Sequence, residues 1–414
     1  MDSLKKLWRS IGPGFITGAS DDDPSGIATY VIAGARFGLN MLWTAVFLFP
    51  FMIVVQEMSG RIGMGSGKGL IKNMRSHYPR FLLLVITLFF VGANIVNIGA
   101  DLSGMSAAFQ LVAPSFPPML FGLGISLALI VLLILFSYRK IASFLKWIAL
   151  ALVAYILAAL LVDQDWSQVF YRTFIPHIEL SKEFLLILIA VVGTTISPYL
   201  FFWQASEEVE EEKMIHHRRP SAFIMRREVK AMNHDTVTGM FFSNLIMYSM
   251  IALSSATLFR NGIADVTTID QIASVLKPLA GSYSTELFLI GILASGLLAI
   301  PVLAGSAAYA LAELFGWKEG MNKRLGQAPQ FYVVIALATM AGLALVAIGI
   351  NPMQALLYTA VILGFLSPIL VALLLHMANQ KSIMGTFTNG IISNSMGILL
   401  LLVMLASVGA LIIL

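Results

Sequence analysis

Gly12-Pro13-Gly14-Phe15-Ile16-Thr17-Gly18-Ala19-Ser20-Asp21-Asp22-Asp23-Pro24-Ser25-Gly26 sets three consecutive carboxylates, a proline and a glycine inside an apolar stretch running from 11 to 37. A stretch of that length crosses the hydrocarbon core, which takes about 20 residues. Pro24 removes a backbone donor and disfavours helix at Asp23, and Gly26 loosens the turn that follows. The helix is therefore expected to unwind at mid-span and expose carbonyl oxygens. Lipid tolerates open backbone only where it lines a cavity or is buried in protein. A carboxylate at that depth costs about 2.5–3.5 kcal/mol on insertion scales, and such a cost points to a group that binds something. The competing reading starts the span after Asp23 and leaves the acids in water, but then 27–37 is too short to cross and 11–19 has no role.

The rest of the chain fits this setting. It has 414 residues, 58% hydrophobic and 12% charged, about half the charged share of a soluble domain. Eleven spans are expected, at 11–37, 41–60, 81–111, 118–137, 141–162, 184–206, 235–259, 285–314, 330–350, 353–376 and 390–413. Of the 26 lysines and arginines, all but Arg36, Arg172, Lys182, Arg260 and Lys277 then fall in loops or span ends on one side. The positive-inside rule makes that side cytoplasmic. The N-terminus is thus cytoplasmic and the C-terminus extracytoplasmic, in what is read as a bacterial inner membrane. Residues 1–10 and the acid-interrupted run after them do not read as a cleavable leader.

Several classes are excluded. With no cysteine there is no disulfide, thiolate ligand or thiol nucleophile. None of the six histidines (77, 177, 216, 217, 234 and 376) falls at mid-span, so the nucleophile–base pair or histidine cluster of a membrane enzyme is missing. No basic stripe interleaved with aromatics supports nucleic-acid binding. The longest loop, 207–234, opens on Glu207, Glu208, Glu210, Glu211 and Glu212 before turning basic. It reads as a solvated helix end, or as an inner vestibule or gate attractive to cations.

Span six carries a second interruption, Gly193-Thr194-Thr195-Ile196-Ser197-Pro198-Tyr199. One proline is often a mere kink, but paired interruptions in corresponding spans of two halves point to a transporter site at the midplane. The chain is accordingly read as one transmembrane domain. Residues 1–162 form a first repeat of five spans, 184–376 an inverted second repeat, and 390–413 an extra helix. In span three, Asn94, Asn97 and Asp101 share one helical face. The asparagines alone suit interhelical hydrogen bonds; a lone acid such as Asp101 is a functional candidate.

Gly12–Tyr30 together with Gly193–Gln204 resembles the Nramp family of divalent-metal transporters. The resemblance implies a LeuT-type fold, a 5+5 inverted repeat with discontinuous helices 1 and 6. The family's Asp-Pro-Gly-Asn stands here as Asp23-Pro24-Ser25-Gly26, and its Met-Pro-His as Ser197-Pro198-Tyr199. Its span-ten glutamine falls on Leu366, before Ser367-Pro368. Its acidic motif in span three falls on Asp101, with Gly104 where typical members carry a glutamate. By this resemblance Asp23 is the central metal ligand and Asp22 assists, with Asp21 toward the inner mouth. Carbonyls around Thr17–Ser20 and at Thr194, with the hydroxyls of Thr195 and Ser197, complete an oxygen cage. Pro24, Gly26 and Pro198 make the breaks, beside Tyr199. Asn97 lies near the site, and Asp101 is a proton acceptor or an outer support.

The departures carry chemistry. Without the thioether the donors are carboxylate, carbonyl and hydroxyl, which suit Mg²⁺ and Mn²⁺. Without the bulky ligands there is room for a partly hydrated ion, and Mg²⁺ sheds its waters reluctantly. The expected cargo is Mg²⁺ or Mn²⁺, with Fe²⁺ behind, moved by alternating access and either proton-coupled or facilitative. No resident cofactor is expected, no partner beyond the ion and the bilayer, and a monomer. The alternative is a transporter of a cationic or zwitterionic organic solute such as an amino acid.

Overall fold

Proline and glycine mark where helices begin and end. The computed structural model describes residues 13–136, 140–141, 150–216 and 221–414. Gly12, the basic residues of 1–12, Arg139, Lys146, His217, Arg218, Arg219 and much of the expected span 141–162 lie outside the described residues. Fourteen helices carry the architecture. They are α1 (Pro13–Asp21), α2 (Pro24–Phe37), α3 (Trp43–Ser66), α4 (Arg80–Val112), α5 (Pro118–Leu135), α6 (Val153–Leu161), α7 (Trp166–Phe174), α8 (Lys182–Thr195), α9 (Pro198–Ile215), α10 (Ala222–Thr257), α11 (Ser284–Phe315), α12 (Pro329–Ala347), α13 (Pro352–Asn379) and α14 (Ile391–Ile413). Pro24, Pro118, Pro198, Pro329 and Pro352 each open a helix, where a missing N–H costs nothing. No strand occurs among the described residues.

Both expected breaks are present. Helix α1 stops at Asp21 and α2 starts at Pro24, and α8 stops at Thr195 and α9 starts at Pro198. Nine helices among the described residues are long and apolar enough to cross a membrane. The halves of the first span are too short to count among them, at 9 and 14 residues, and 142–149 lie outside the described residues.

Helices α1 and α2 pack on α10, α8 packs on α13, and α4 packs on α11 and α12, which places the two breaks at the centre. Two of these crossings are nearly backbone to backbone. A Cβ on Gly18 would lie 2.2 Å from the Gly239 carbonyl carbon, and one on Gly193 would lie 2.2 Å from Gly364 N. Helix α14 leaves most of its apolar surface exposed on the periphery, as a lipid-facing helix does.

The expected loop at 207–234 is corrected. Helix α9 continues to Ile215 and α10 begins at Ala222. Glu207 and Glu208 are buried, and Glu210 is gripped by Tyr309 and the turn after α11. Glu210 Oε1 accepts from Tyr309 Oη at 2.6 Å and Met321 N at 3.0 Å, and Oε2 accepts from Asn322 N at 3.3 Å. Tyr309 Oη also lies 2.9 Å from Glu207 Oε1. The acidic run reads as loop by composition, yet its carboxylates are satisfied across the fold.

Candidate functional site

The acid triplet lies inside the protein. Asp21, Asp22 and Asp23 are 0%, 0% and 1% exposed, which rules out the reading with the acids in water. The break then divides them. Asp23 occupies the N-cap of α2, and its Oδ1 accepts from Gly26 N at 2.6 Å, the standard way a short acid satisfies a helix start. Its Oδ2 accepts from Asn97 Nδ2 on α4 at 2.9 Å. Asp21 and Asp22 turn instead to α10, where Ser243 Oγ lies 2.8 Å from Asp21 Oδ2 and 3.4 Å from Asp22 Oδ1. Asp21 is therefore enclosed against α10 rather than set at an open mouth, and Asp22 shares its partner rather than that of Asp23.

Around Gly26 the chain packs closely against oxygens. A Cβ at that residue would lie 3.1 Å from Thr194 Oγ1 and 3.4 Å from both Asp21 O and Asp23 Oδ1. Thr194 Oγ1 and Asn97 Oδ1 are buried without a hydrogen-bond partner among the described residues, and Asp101 is buried with the Ser25 backbone beside it and no side-chain partner. Asp21 Oδ1, Asp22 Oδ2, Ser25 Oγ and Thr29 Oγ1 are likewise buried without a hydrogen-bond partner among the described residues. Unsatisfied buried oxygens are costly, and a cation is one partner that such acceptors take. No three His, Asp or Glu side chains among the described residues form a group that could hold a metal ion on their own. A cation here needs a mixed set of carboxylate, carbonyl, amide and hydroxyl oxygens, such as hard divalent ions accept.

The other expected residues are placed as follows. Tyr199 Oη donates to Ser20 O at 2.9 Å, so Ser20's carbonyl is already engaged and ties α9 to α1. Ser197 Oγ donates to Thr194 O at 2.5 Å, capping its own break. Thr195 Oγ1 pairs with Tyr30 Oη at 3.1 Å and approaches Met247 Sδ at 3.6 Å, on a different side from Thr194. Asn94 bonds Leu303 O and Ser306 on α11, an interhelical role. Asn97 does the opposite and joins the site.

Two residues escape sequence reasoning. Ser243 holds the two acids that Asn97 does not take. Ser367 Oγ lies 3.1 Å from Ile196 O, a carbonyl at the second break. Ser367 sits beside Pro368, a local signal; Ser243 is one serine in a polar-flecked helix and carries none.

Residues 14–414 match the family described as Nramp, natural resistance-associated macrophage protein-like. The chain is 24% identical over 407 residues to the divalent metal cation transporter MntH of Caldanaerobacter subterraneus, covering 96% of this chain and 90% of that protein. It is 25% identical to the protein of the same name from Klebsiella pneumoniae, covering 92% of this chain and 87% of the relative. The crystal structure of the Eremococcus coleocola manganese transporter superposes with a TM-score of 0.78 at 18% identity, covering 98% of this chain and 86% of that one. That likeness establishes the shared fold.

Proposed function

The chain belongs to the Nramp family, and from that premise we propose that it carries divalent metal cations across a membrane by alternating access, favouring Mg²⁺ and Mn²⁺ over Fe²⁺. The carrying observation is the close approach of Thr194 Oγ1, Asp21 O and Asp23 Oδ1 around Gly26, beside buried acceptors without a partner on Thr194, Asp21 and Asp22. No thioether or imidazole joins those three oxygens, so the softer ions gain little. Asp23 supplies the charge, and Asn97 holds it in place from α4. Thr194 adds a hydroxyl and Asp21 a carbonyl freed by the break. Asp22, the Ser20 carbonyl and Ser197 act around this set. The positive-inside pattern supports an inner-membrane setting with the basic face in the cytoplasm.

Asp101, fully buried and without a side-chain partner, is the acceptor for a co-transported proton if one moves. An organic cation is disfavoured, because even a single carbon added at Gly26 lies within 3.4 Å of three oxygens.

The test is uptake of Mg²⁺, Mn²⁺ and Ca²⁺ into proteoliposomes with internal pH followed at the same time. Asp23→Asn abolishes uptake of every ion while the protein stays folded; full uptake by that variant refutes the assignment. Acidification that tracks metal entry and vanishes in Asp101→Asn identifies a proton symporter. Uptake without acidification identifies a facilitator.

A further inference from the structure

The two broken helices are fastened to each other twice, once on each side of the site, by bonds of different chemistry. On the side away from the basic loops, Arg36 stands in the last turn of α2. Its Nη1 lies 3.1 Å from Glu183 Oε1, in the first turn of α8. Its Nη2 pairs with Asp265, in the connection after α10. The neighbouring residues repeat the contact in apolar form: Phe37 meets Phe184 edge-on at 5.1 Å, and both rings are buried. Beside this pair opens a cavity of about 440 Å³ that includes Arg36, Asn40, Glu179 and Glu183 in its wall. The Arg36, Glu183 and Asp265 side chains are 26%, 62% and 73% exposed, so water and salt reach the pairing.

On the basic side the fastening is neutral at its contact and dry. Thr17 Oγ1 on α1 donates to Gln204 Oε1 on α9 at 2.7 Å, and Gln204 Nε2 donates to Glu208 Oε1 at 2.7 Å. Thr17 and Gln204 are fully buried. Because the amide is engaged at both ends, only one orientation serves, and the Thr17 bond is directional. The outer halves α2 and α8 are thus joined by an ion pair, and the inner halves α1 and α9 by a buried hydrogen bond.

We infer that Arg36 with Glu183 and Asp265 is the outer latch of the transport cycle, that Thr17 with Gln204 is the inner latch, and that ionic strength weakens only the outer one. Exposed ion pairs are screened, with a Debye length of about 8 Å at 0.15 M salt and about 3 Å at 1 M. A buried hydroxyl–amide bond is not screened. Salt on the outer face therefore raises the population open to that side. This rests on the alternating-access reading above, in which the two sides open in turn.

The chain contains no cysteine, so a single introduced thiol is a unique reporter. Ala33→Cys places one in α2, a helical turn inside Phe37. Thr236→Cys places one in α10, where the native hydroxyl contacts Met232 Sδ; Met232 and Gln204 both approach Gly60. Both native residues are fully buried. Purified protein in lipid nanodiscs, without divalent metal, is labelled with an uncharged maleimide at 0.05 M and 1 M salt. Rates are referred to a fully exposed thiol. The Ala33→Cys rate rises about threefold with salt, the scale of an exposed ion pair, and the Thr236→Cys rate is unchanged. Adding Arg36→Gln makes the Ala33→Cys rate high at both salts, whereas Arg36→Lys keeps the salt response. Adding Thr17→Val speeds Thr236→Cys labelling at both salts, and Thr17→Ser does not. An Ala33→Cys rate indifferent to salt, or a salt response that survives Arg36→Gln, overturns the outer latch. Thr236→Cys labelling unmoved by Thr17→Val overturns the inner one. No metal enters this experiment, so its failure leaves the divalent-cation reading standing, and failed uptake leaves the latches standing.

Discussion

In the proposed site, Gly26 is the residue at which composition would become selectivity. Where its relatives by resemblance carry an asparagine, this chain has only a hydrogen, and three oxygens border the space. In the proposed site, a cation beside Gly26 keeps a water in place of a side chain. Ions that dehydrate reluctantly gain most from that arrangement. Gly26→Asn inserts an amide oxygen and displaces the water, so the ratio of Mn²⁺ to Mg²⁺ uptake rises about tenfold, equivalent to ~1.4 kcal/mol. An unchanged ratio in proteoliposomes would mean that Gly26 does not border the path. A second residue-scale prediction concerns Glu319, in the turn after α11. Burial pushes its carboxyl above the usual range, and Lys72, Lys213 and Lys323 pull it back only in part. Below the ordinary carboxylate value both folded and unfolded chains hold the proton, so the group is neutral to stability. As pH rises past that value the unfolded chain ionises first and the folded state loses ground. Glu319→Gln therefore raises the thermal midpoint by about 2 °C at pH 7.5 and leaves it unchanged at pH 4. A larger effect in acid would reverse the sign and refute the account.

The helices meet where side chains are absent. Gly193 on α8 sits against the backbone of α13 at Gly364, so close that an added methyl would lie 2.2 Å from the Gly364 nitrogen. Gly193→Ala forces the two helices apart directly beside the second break. The expected cost is about 1–3 kcal/mol, as for overpacking elsewhere, read as a lowered midpoint in detergent. Transport falls with it, since Thr194 moves with α8. The control is Gly92→Ala, a helical glycine with nothing within 4 Å of an added carbon, which leaves the midpoint within error.

The whole molecule is held at its basic face by carboxylates that reach between helices. Glu210 joins α9 to α11 and to the turn at 321–322 through Tyr309, Met321 and Asn322. Glu313 on α11 accepts from Lys72 N at 2.8 Å and so fixes the short helix Leu70–Arg75. Together they make the inner half of the second broken helix part of the frame, while α1 is tied by Thr17, Ser20 and its two buried acids. Glu210→Ala removes several charge-assisted bonds at once and lowers stability by about 1.5–3 kcal/mol, measured by thermal unfolding. The apparent affinity for metal is unaffected, because Glu210 touches no part of the site; a changed affinity at unchanged stability would place it on the ion's route.

The breaks and the membrane setting are legible in the chain itself. Proline's missing donor and glycine's freedom act within a turn, so Asp23-Pro24 and Ser197-Pro198, with the small and polar residues around them, announce interrupted helices, although Pro50, Pro301 and Pro368 lie inside continuous ones. The tertiary structure alone decided which oxygens meet. Asp21 and Asp22 go to Ser243 while Asp23 goes to Asn97, because α10 and α4 approach the unwound segment as separate walls, and no spacing along the chain encodes that choice. The acidic run after Ser206 reads as loop for the same reason: a helix can carry five glutamates near its end when Gln204, Tyr309 and the backbone of a distant turn supply donors to Glu208, Glu207 and Glu210 that water would otherwise provide.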